Sequence, residues 1–192
     1  MKKERTIDLT LETSRLILLA GDQVLTYKRT IIDEIMKSVD TLSNWIAFFN
    51  NDFDSNKLDE FIKKTTDLHT NERYLRYFIF EKESHRFVGS IVLQDIDTRL
   101  PSCEIGYWTV AAAQGNGYMT EAIRFITRYL IEKQHFVRVE AYIDVKNVKS
   151  IATIERCDFE REGTLKNADL SADQSTLINE AIYAITTPVY FK

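Results

Sequence analysis

The 192-residue sequence predicts an α/β fold: one mixed, mostly antiparallel sheet of about six to seven strands, flanked by about four helices, with one parallel strand–helix–strand crossover. Three observations predict it. Tyr74–Glu81 and Arg86–Ile96 are rich in aromatic and β-branched residues and are joined by the short turn Lys82–His85, which suits an antiparallel hairpin. A long amphipathic segment, Tyr118 to about Gln134, carries Met119, Ala122, Ile123, Ile126 and Leu130 on one face. After it, Val137-Arg-Val-Glu-Ala-Tyr-Ile-Asp144 alternates apolar and polar with period two. A strand–helix–strand connection of that length is parallel.

Taken in order, Leu16-Ile-Leu-Leu19 reads as a short buried strand closed by the turn pair Gly21-Asp22. Val24 to Thr70 is helical in character. Thr41 and Ser43 are candidate N-caps ahead of Trp45, Phe48 and Phe49, and Ser55 ahead of Leu58, Phe61 and Ile62. The Trp45/Phe48/Phe49 patch reads either as core or as the surface of a homodimer. The hairpin follows, then a third strand, Cys103–Val110, after Pro101. Beyond the long helix and the alternating strand come a short helix near Val148–Cys157 and strands at Phe159–Leu165 and Ile178–Thr186. No repeat, Pro-rich tract or Gly/Ser linker interrupts the chain, so residues 1–192 are expected to form one domain.

Composition excludes several classes. At 44% hydrophobic and 28% charged the chain is an ordinary globular one. A net charge of −4 argues against a nucleic-acid binder that relies on a basic surface. The longest apolar runs, such as Val110–Ala113, fall far short of the roughly 20 residues that span a bilayer, and no apolar stretch follows the basic opening, so neither a membrane anchor nor a secretory signal is expected. Cys103 and Cys157 form no Cys-x-x-Cys, which fits a reduced, cytoplasmic protein. His69, His85 and His135 lie too far apart for a zinc site and read as surface imidazoles; no metal is expected. The nucleophile-elbow motif G-x-S-x-G is absent.

Glycine carries the chemical signal. Of six glycines, Gly106, Gly115 and Gly117 fall within twelve residues, the last two between the third strand and the long helix. Glycine lets backbone amides turn inward and a ligand approach closely. The helix N-terminus adds unpaired N–H groups and the positive end of its dipole, so the segment suits a phosphate. It is not a P-loop, because Tyr118 follows Gly117, nor a dinucleotide fingerprint, because position 120 is Thr. On its own a G-x-G before a helix also describes a plain turn.

The surroundings decide. Gln114-Gly-Asn-Gly-Tyr-Met119 resembles the Q/R-x-x-G-x-G/A loop of the GNAT superfamily of acetyl-coenzyme A-dependent N-acetyltransferases. Glu104-Ile-Gly-Tyr-Trp108 is similar to the strand before that loop. Asn147-Val-Lys-Ser150, then Glu155-Arg-Cys-Asp-Phe159-Glu-Arg-Glu-Gly163, resembles the family's N-x-x-S…E-K-x-G-F-x-x-E-G segment. Leu11-Glu-Thr-Ser-Arg15-Leu-Ile-Leu18 and the Trp45 region are similar to the branch that acetylates N-termini of ribosomal proteins. Two departures are visible: Met119 stands where Gly or Ala is usual, and Asp158 replaces a Gly at a left-handed helix end. Lys166–Thr176 is polar and unlike the family's short return.

The resemblance implies a direct transfer of acetyl from acetyl-coenzyme A to a primary amine: a protein N-terminus, a polyamine or an aminoglycoside-like small molecule. A coenzyme A-binding regulatory pseudo-enzyme is the alternative. By resemblance, the amides of Gln114, Gly115, Asn116, Gly117, Tyr118 and Met119, with the Thr120 hydroxyl, hold the diphosphate. Trp108, Thr109 and Val110 bind the pantetheine arm as an added strand, and an amide near Val110 polarises the thioester carbonyl. Glu104 is the candidate base. Ser150 is the candidate proton source for the departing thiolate, with Asn147 on the arm or substrate; both residues also suit a helix cap. The tyrosine that many members place one turn after the Asn is replaced by Glu155, and Tyr183 reads chiefly as a core aromatic.

Overall fold

A computed structural model describes residues 7–49, 54–67 and 73–187. His69 lies outside them. Among the described residues, eight strands form one sheet: β1 (Thr10–Glu12), β2 (Leu16–Leu19), β3 (Leu75–Glu81), β4 (Phe87–Asp97), β5 (Ser102–Thr109), β6 (Arg138–Asp144), β7 (Glu160–Leu170) and β8 (Leu177–Thr186). Their order across the sheet is β1-β2-β3-β4-β5-β6-β8-β7, antiparallel except for β5 with β6. Among the described residues, five α-helices accompany them: α1 (Lys28–Met36), α2 (Val39–Leu42), α3 (Ser55–Asp67), α4 (Tyr118–Glu132) and α5 (Val148–Arg156). The α/β class, the antiparallel hairpins and the parallel crossover through α4 agree with the sequence reading. The added strand, β1, has three residues, too few to show a period.

Seven consecutive residues of β4, Phe87–Leu93, are buried, so helices cover both of its faces. Farther along the sheet, α4 and α5 cover one face only. There Cys103, Ile105, Val139, Ala141, Ile143, Ala181 and Tyr183 alternate into the core beneath them. The opposite side chains of β5–β8 carry the charge. β7, exposed along nearly all its length, closes that edge.

Three caps differ from expectation. α2 begins at Val39, so Thr41 lies inside it and Ser43 ends it. Asp54, rather than Ser55, caps α3, accepting from the Lys57 N–H at 2.8 Å. The aromatic patch divides: Phe49 is buried and packs edge-on against Trp108 at 5.6 Å, whereas Trp45 is 46% exposed.

Candidate active site

The site begins where two strands stop pairing. β5 and β6 are in register only at Ser102–Glu104 opposite Arg138–Glu140, and beyond Glu104 they part. The Val110 N–H donates to Val88 O at 3.0 Å. Backbone groups alternate in direction along an antiparallel strand, so Trp108 and Gly106 also face β4, while the amides of Ile105, Tyr107 and Thr109 face the gap. Of the amides near Val110 that the resemblance implicates, that of Val110 itself is used within the sheet and its side chain is buried, and Thr109 is the neighbour whose amide points outward. The Thr109 carbonyl accepts from Gln114 Nε2 at 3.4 Å, tying the strand end to the glycine loop.

The gap widens into a cleft of about 1810 Å³, lined along one flank by Ile105–Thr109, Gln114, Gly115 and Gly117–Glu121. Gly115 and Gly117 have φ of +78° and +73°, the left-handed region that glycine enters without penalty. Gly117 is the N-cap of α4, and the first closed turn is Glu121 N–H to Gly117 O at 3.0 Å. The amides of Tyr118, Met119 and Thr120 precede that turn, and Gly117 has no side chain with which to cap them. A Cβ on Gly115 would meet nothing within 4 Å, so a ligand has room beside it. Asn116 turns its amide back onto Ala113 O and Gln114 O and does not line the cleft. Arg15 bonds Asn116 O at 3.2 Å and lies 4.7 Å over the Tyr118 ring. Its Nε pairs with Glu121 at 2.6 Å, and the same carboxylate accepts from Thr13 and Ser14, clamping the β1–β2 turn onto the start of α4. Burial opposes ionisation of Glu121, but these donors hold its carboxyl below the usual range.

Both departures in the motifs are accommodated. Met119 is buried, and Asp158 adopts φ +66° at the end of α5. Asn147 caps α5, accepting from the Ser150 N–H at 3.2 Å. The Ser150 hydroxyl donates to Tyr107 OH at 2.9 Å, and the Tyr107 hydroxyl donates to Ser150 O at 3.0 Å. Asn147, Ser150 and Tyr107 all line the cleft. Glu155 instead accepts from Tyr183 at 2.9 Å, away from the opening.

Carboxylates occupy the far wall. Cross-strand pairing places Glu104 beside Glu140 and Asp144 beside Glu180, on the face away from α4 and α5. Glu104 sits at the closed end of the gap, does not line the cleft, and accepts from Gln94 at 2.9 Å. Burial pushes its carboxyl up, with Asp95, Glu140 and Glu180 adding to the shift against the Gln94 bond. Asp144, Asp169 and Glu180 do line the cleft. Burial first, then Asp169 and Asp144, pushes the Glu180 carboxyl up as well. Asp169 reaches the wall through a bulge: Leu165 pairs with Glu180 but Asp169 with Ile178, and Asn167, at φ +50°, donates its N–H to Asn179 Oδ1. The polar Lys166–Thr176 stretch is thus a long hairpin end. Its turn is tied by Asp173, which accepts from Ser171 and Ser175 and whose carboxyl is lowered to about 2 by those bonds. Among the described residues, no group of three or more His, Cys, Asp or Glu is placed to hold a metal, and no helix is long and apolar enough to cross a membrane.

An open sheet with one parted parallel pair, and a glycine-capped helix at the gap, is the architecture of an acetyltransferase domain of the N-acetyltransferase class. The chain belongs to the acetyltransferase (GNAT) domain family, whose model matches residues 29–160. It is 26% identical over 136 residues to the ribosomal-protein-serine acetyltransferase of Escherichia coli K12, covering 71% of this chain and 73% of that one. It is 33% identical over 97 residues to a Bacillus subtilis protein named "Probable N-acetyltransferase YjcK", spanning half of this chain and 53% of that relative. Among solved structures, the microcin C7 self-immunity acetyltransferase MccE, in complex with acetyl-CoA and AMP, superposes with a TM-score of 0.81 at 26% identity, covering 96% of this chain and 98% of that one.

Proposed function

We propose that the protein transfers acetyl from acetyl-coenzyme A directly to a primary amine, with a protein N-terminal α-amino group as the acceptor. One observation carries the reading: the free amides of the glycine loop, the outward edge of β5 and an acidic wall meet in a single cleft. Acetyl-coenzyme A supplies an activated thioester, and the residues present fit its parts. The amides of Gly115 and Gly117–Thr120 and the Thr120 hydroxyl, all of which line the cleft, hold the diphosphate. The edge amides of Tyr107 and Thr109 take the pantetheine arm in strand fashion, and Thr109 N–H polarises the thioester carbonyl. Trp108 and Asn147 flank the arm.

An α-amino group has a pKa near 8, against about 10.4 for lysine, so it surrenders its proton more readily at neutral pH. It arrives largely as a cation, which Asp144, Asp169 and Glu180 attract. We infer that Glu180 takes the proton, because it lines the cleft and its raised carboxyl lies nearer the working pH. Glu104, which does not line the cleft, receives it only through water. The nitrogen lone pair attacks the carbonyl carbon, the C–S bond breaks, and sulfur leaves with the electron pair. The hydroxyl of Ser150 donates a hydrogen bond to that sulfur, and solvent returns the final proton. On this reading the whole chain acts as one domain in a reduced, cytoplasmic setting, in keeping with two buried, unpaired cysteines, Cys103 and Cys157.

The relatives point two ways on the acceptor, since one is named for ribosomal protein serine and MccE is a self-immunity enzyme. A test incubates the protein with labelled acetyl-coenzyme A and an equimolar panel of N-terminal peptides, polyamines and aminoglycosides, and reads products by mass spectrometry. Acetylated peptide α-amines are expected; label confined to small amines moves the acceptor class, and cofactor binding without any product makes the protein a coenzyme A-binding regulator.

A further inference from the structure

Where the sequence leaves the leaving-group tyrosine of α5 vacant, at Glu155, the structure brings a different tyrosine to Ser150 from the opposite side. Tyr107 stands on β5 and faces α5 across the opening of the cleft. Its oxygen is 2.9 Å from Ser150 Oγ and 3.0 Å from Ser150 O, so its single proton has two acceptors on one residue. Burial pushes the phenol well above the usual tyrosine range, so it stays protonated at any working pH.

We propose that Tyr107 is the positioning residue of the leaving-group end, switching the Ser150 hydroxyl from an inward to an outward hydrogen bond as negative charge builds on sulfur. In the resting arrangement Ser150 O–H donates to Tyr107, and Tyr107 O–H donates to the Ser150 carbonyl. In the charged arrangement Tyr107 O–H donates to Ser150 Oγ, and Ser150 O–H donates to sulfur. Two hydroxyls rotate and no proton leaves either oxygen, so the step needs no alkoxide and no co-reactant. A serine hydroxyl is freely rotating, and a fixed donor behind it favours the one rotamer that serves the transition state. This rests on the acetyl-transfer reading.

The test is a cycle of Tyr107→Phe, Ser150→Ala and the double variant, with Tyr183→Phe as control. Tyr183 also joins the sheet to α5 by a hydroxyl, but through Glu155. Tyr107→Phe is expected to lower kcat about five- to tenfold, the scale of one hydrogen bond, with KM for acetyl-coenzyme A within about twofold. Ser150→Ala loses at least as much, and the double variant loses no more than Ser150→Ala alone. Tyr183→Phe keeps kcat within about twofold. Equal losses from Tyr107→Phe in both backgrounds, or an unchanged kcat, overturn the proposal. A second readout stands apart from turnover, so a wild type that acetylates nothing defeats only the transfer reading. Calorimetry at about pH 8.5, where a thiol is partly ionised, compares coenzyme A with desulfo-coenzyme A. The wild type is expected to prefer the thiol, and Tyr107→Phe and Ser150→Ala to lose that preference alike; no preference in the wild type, or an intact one in Tyr107→Phe, overturns it.

Discussion

Glu180 and Glu104 are the residues whose protonation the fold disturbs most usefully. Both carboxyls are raised by burial, so the folded protein disfavours their ionised form. The stability cost begins as pH rises past the unfolded carboxylate pKa near 4.3 and is complete above the raised folded value. Glu180→Gln and Glu104→Gln are therefore expected to raise the melting temperature at pH 7 and to lose that gain near pH 4, followed by thermal melts across pH. Activity separates the two. Glu180→Gln should lower kcat/KM by roughly 10²-fold, the range of a general base, and remove the acidic limb of its pH profile. Glu104→Gln should cost only a fewfold. A Glu104→Gln loss equal to that of Glu180→Gln would return the role to the residue that the motif alone suggests. Legibility divides along the same line. The Asn147–Ser150 cap is a bond across three residues, and its spacing is visible in the sequence. Glu180 is not, because its exposure to the cleft depends on β8 lying beside β6 and on how far β5 has drawn away.

Among the elements, the parting of β5 from β6 needs β5 to be held firmly on its other side, by β4. Gly89 makes that possible. A Cβ there would lie 2.2 Å from Trp108 O, a backbone atom that cannot swing aside. Gly89→Ala is expected to destabilise by roughly 3 kcal/mol and to weaken acetyl-coenzyme A binding together with stability, measured by denaturant melts and calorimetry. Gly117→Ala acts differently. Its nearest neighbour would be the end of the Arg15 side chain at 3.8 Å, so the cost is the left-handed backbone, about 1–2 kcal/mol, while the loop is tilted away from the diphosphate. Binding should therefore fall by more than stability predicts. The strand–loop–helix order that sets this geometry is plain in the sequence, since hydrophobic period and glycine spacing are local properties. The choice between Val110 and Thr109 as the outward amide is not, because it turns on which neighbour pairs with which edge. Likewise the bulge at 165–169, which brings Asp169 to the wall, rests on a left-handed Asn167 held by Asn179 from the neighbouring strand.

Across the whole molecule the cleft is polarised, although the net charge of −4 conveys only a mildly acidic protein. Arg124, Arg128, Lys149 and Arg156 line the end bounded by α4 and α5, and Asp144, Asp169 and Glu180 line the end bounded by β6–β8. Partners already occupy part of the basic end: Arg124 donates to Arg156 O, and Arg128 lies 3.8 Å from Glu132. On the proposed acetyl-transfer reading, the polarity draws a polyanionic cosubstrate to one side and a cationic amine to the other. Both attractions are exposed to solvent, and screening over about 8–10 Å at physiological salt bounds them. Raising salt from 50 to 500 mM is therefore expected to increase the KM values of acetyl-coenzyme A and of a cationic acceptor by several-fold each, with kcat nearly constant. Asp169→Asn should make the acceptor KM less salt-sensitive and leave that of acetyl-coenzyme A unchanged. Arg128→Gln should do the reverse, because its charge lies at the opposite end of the cleft. Steady-state kinetics for both substrates across the salt series checks the pattern, and a variant that moved both KM values together would show that the two ends do not act separately.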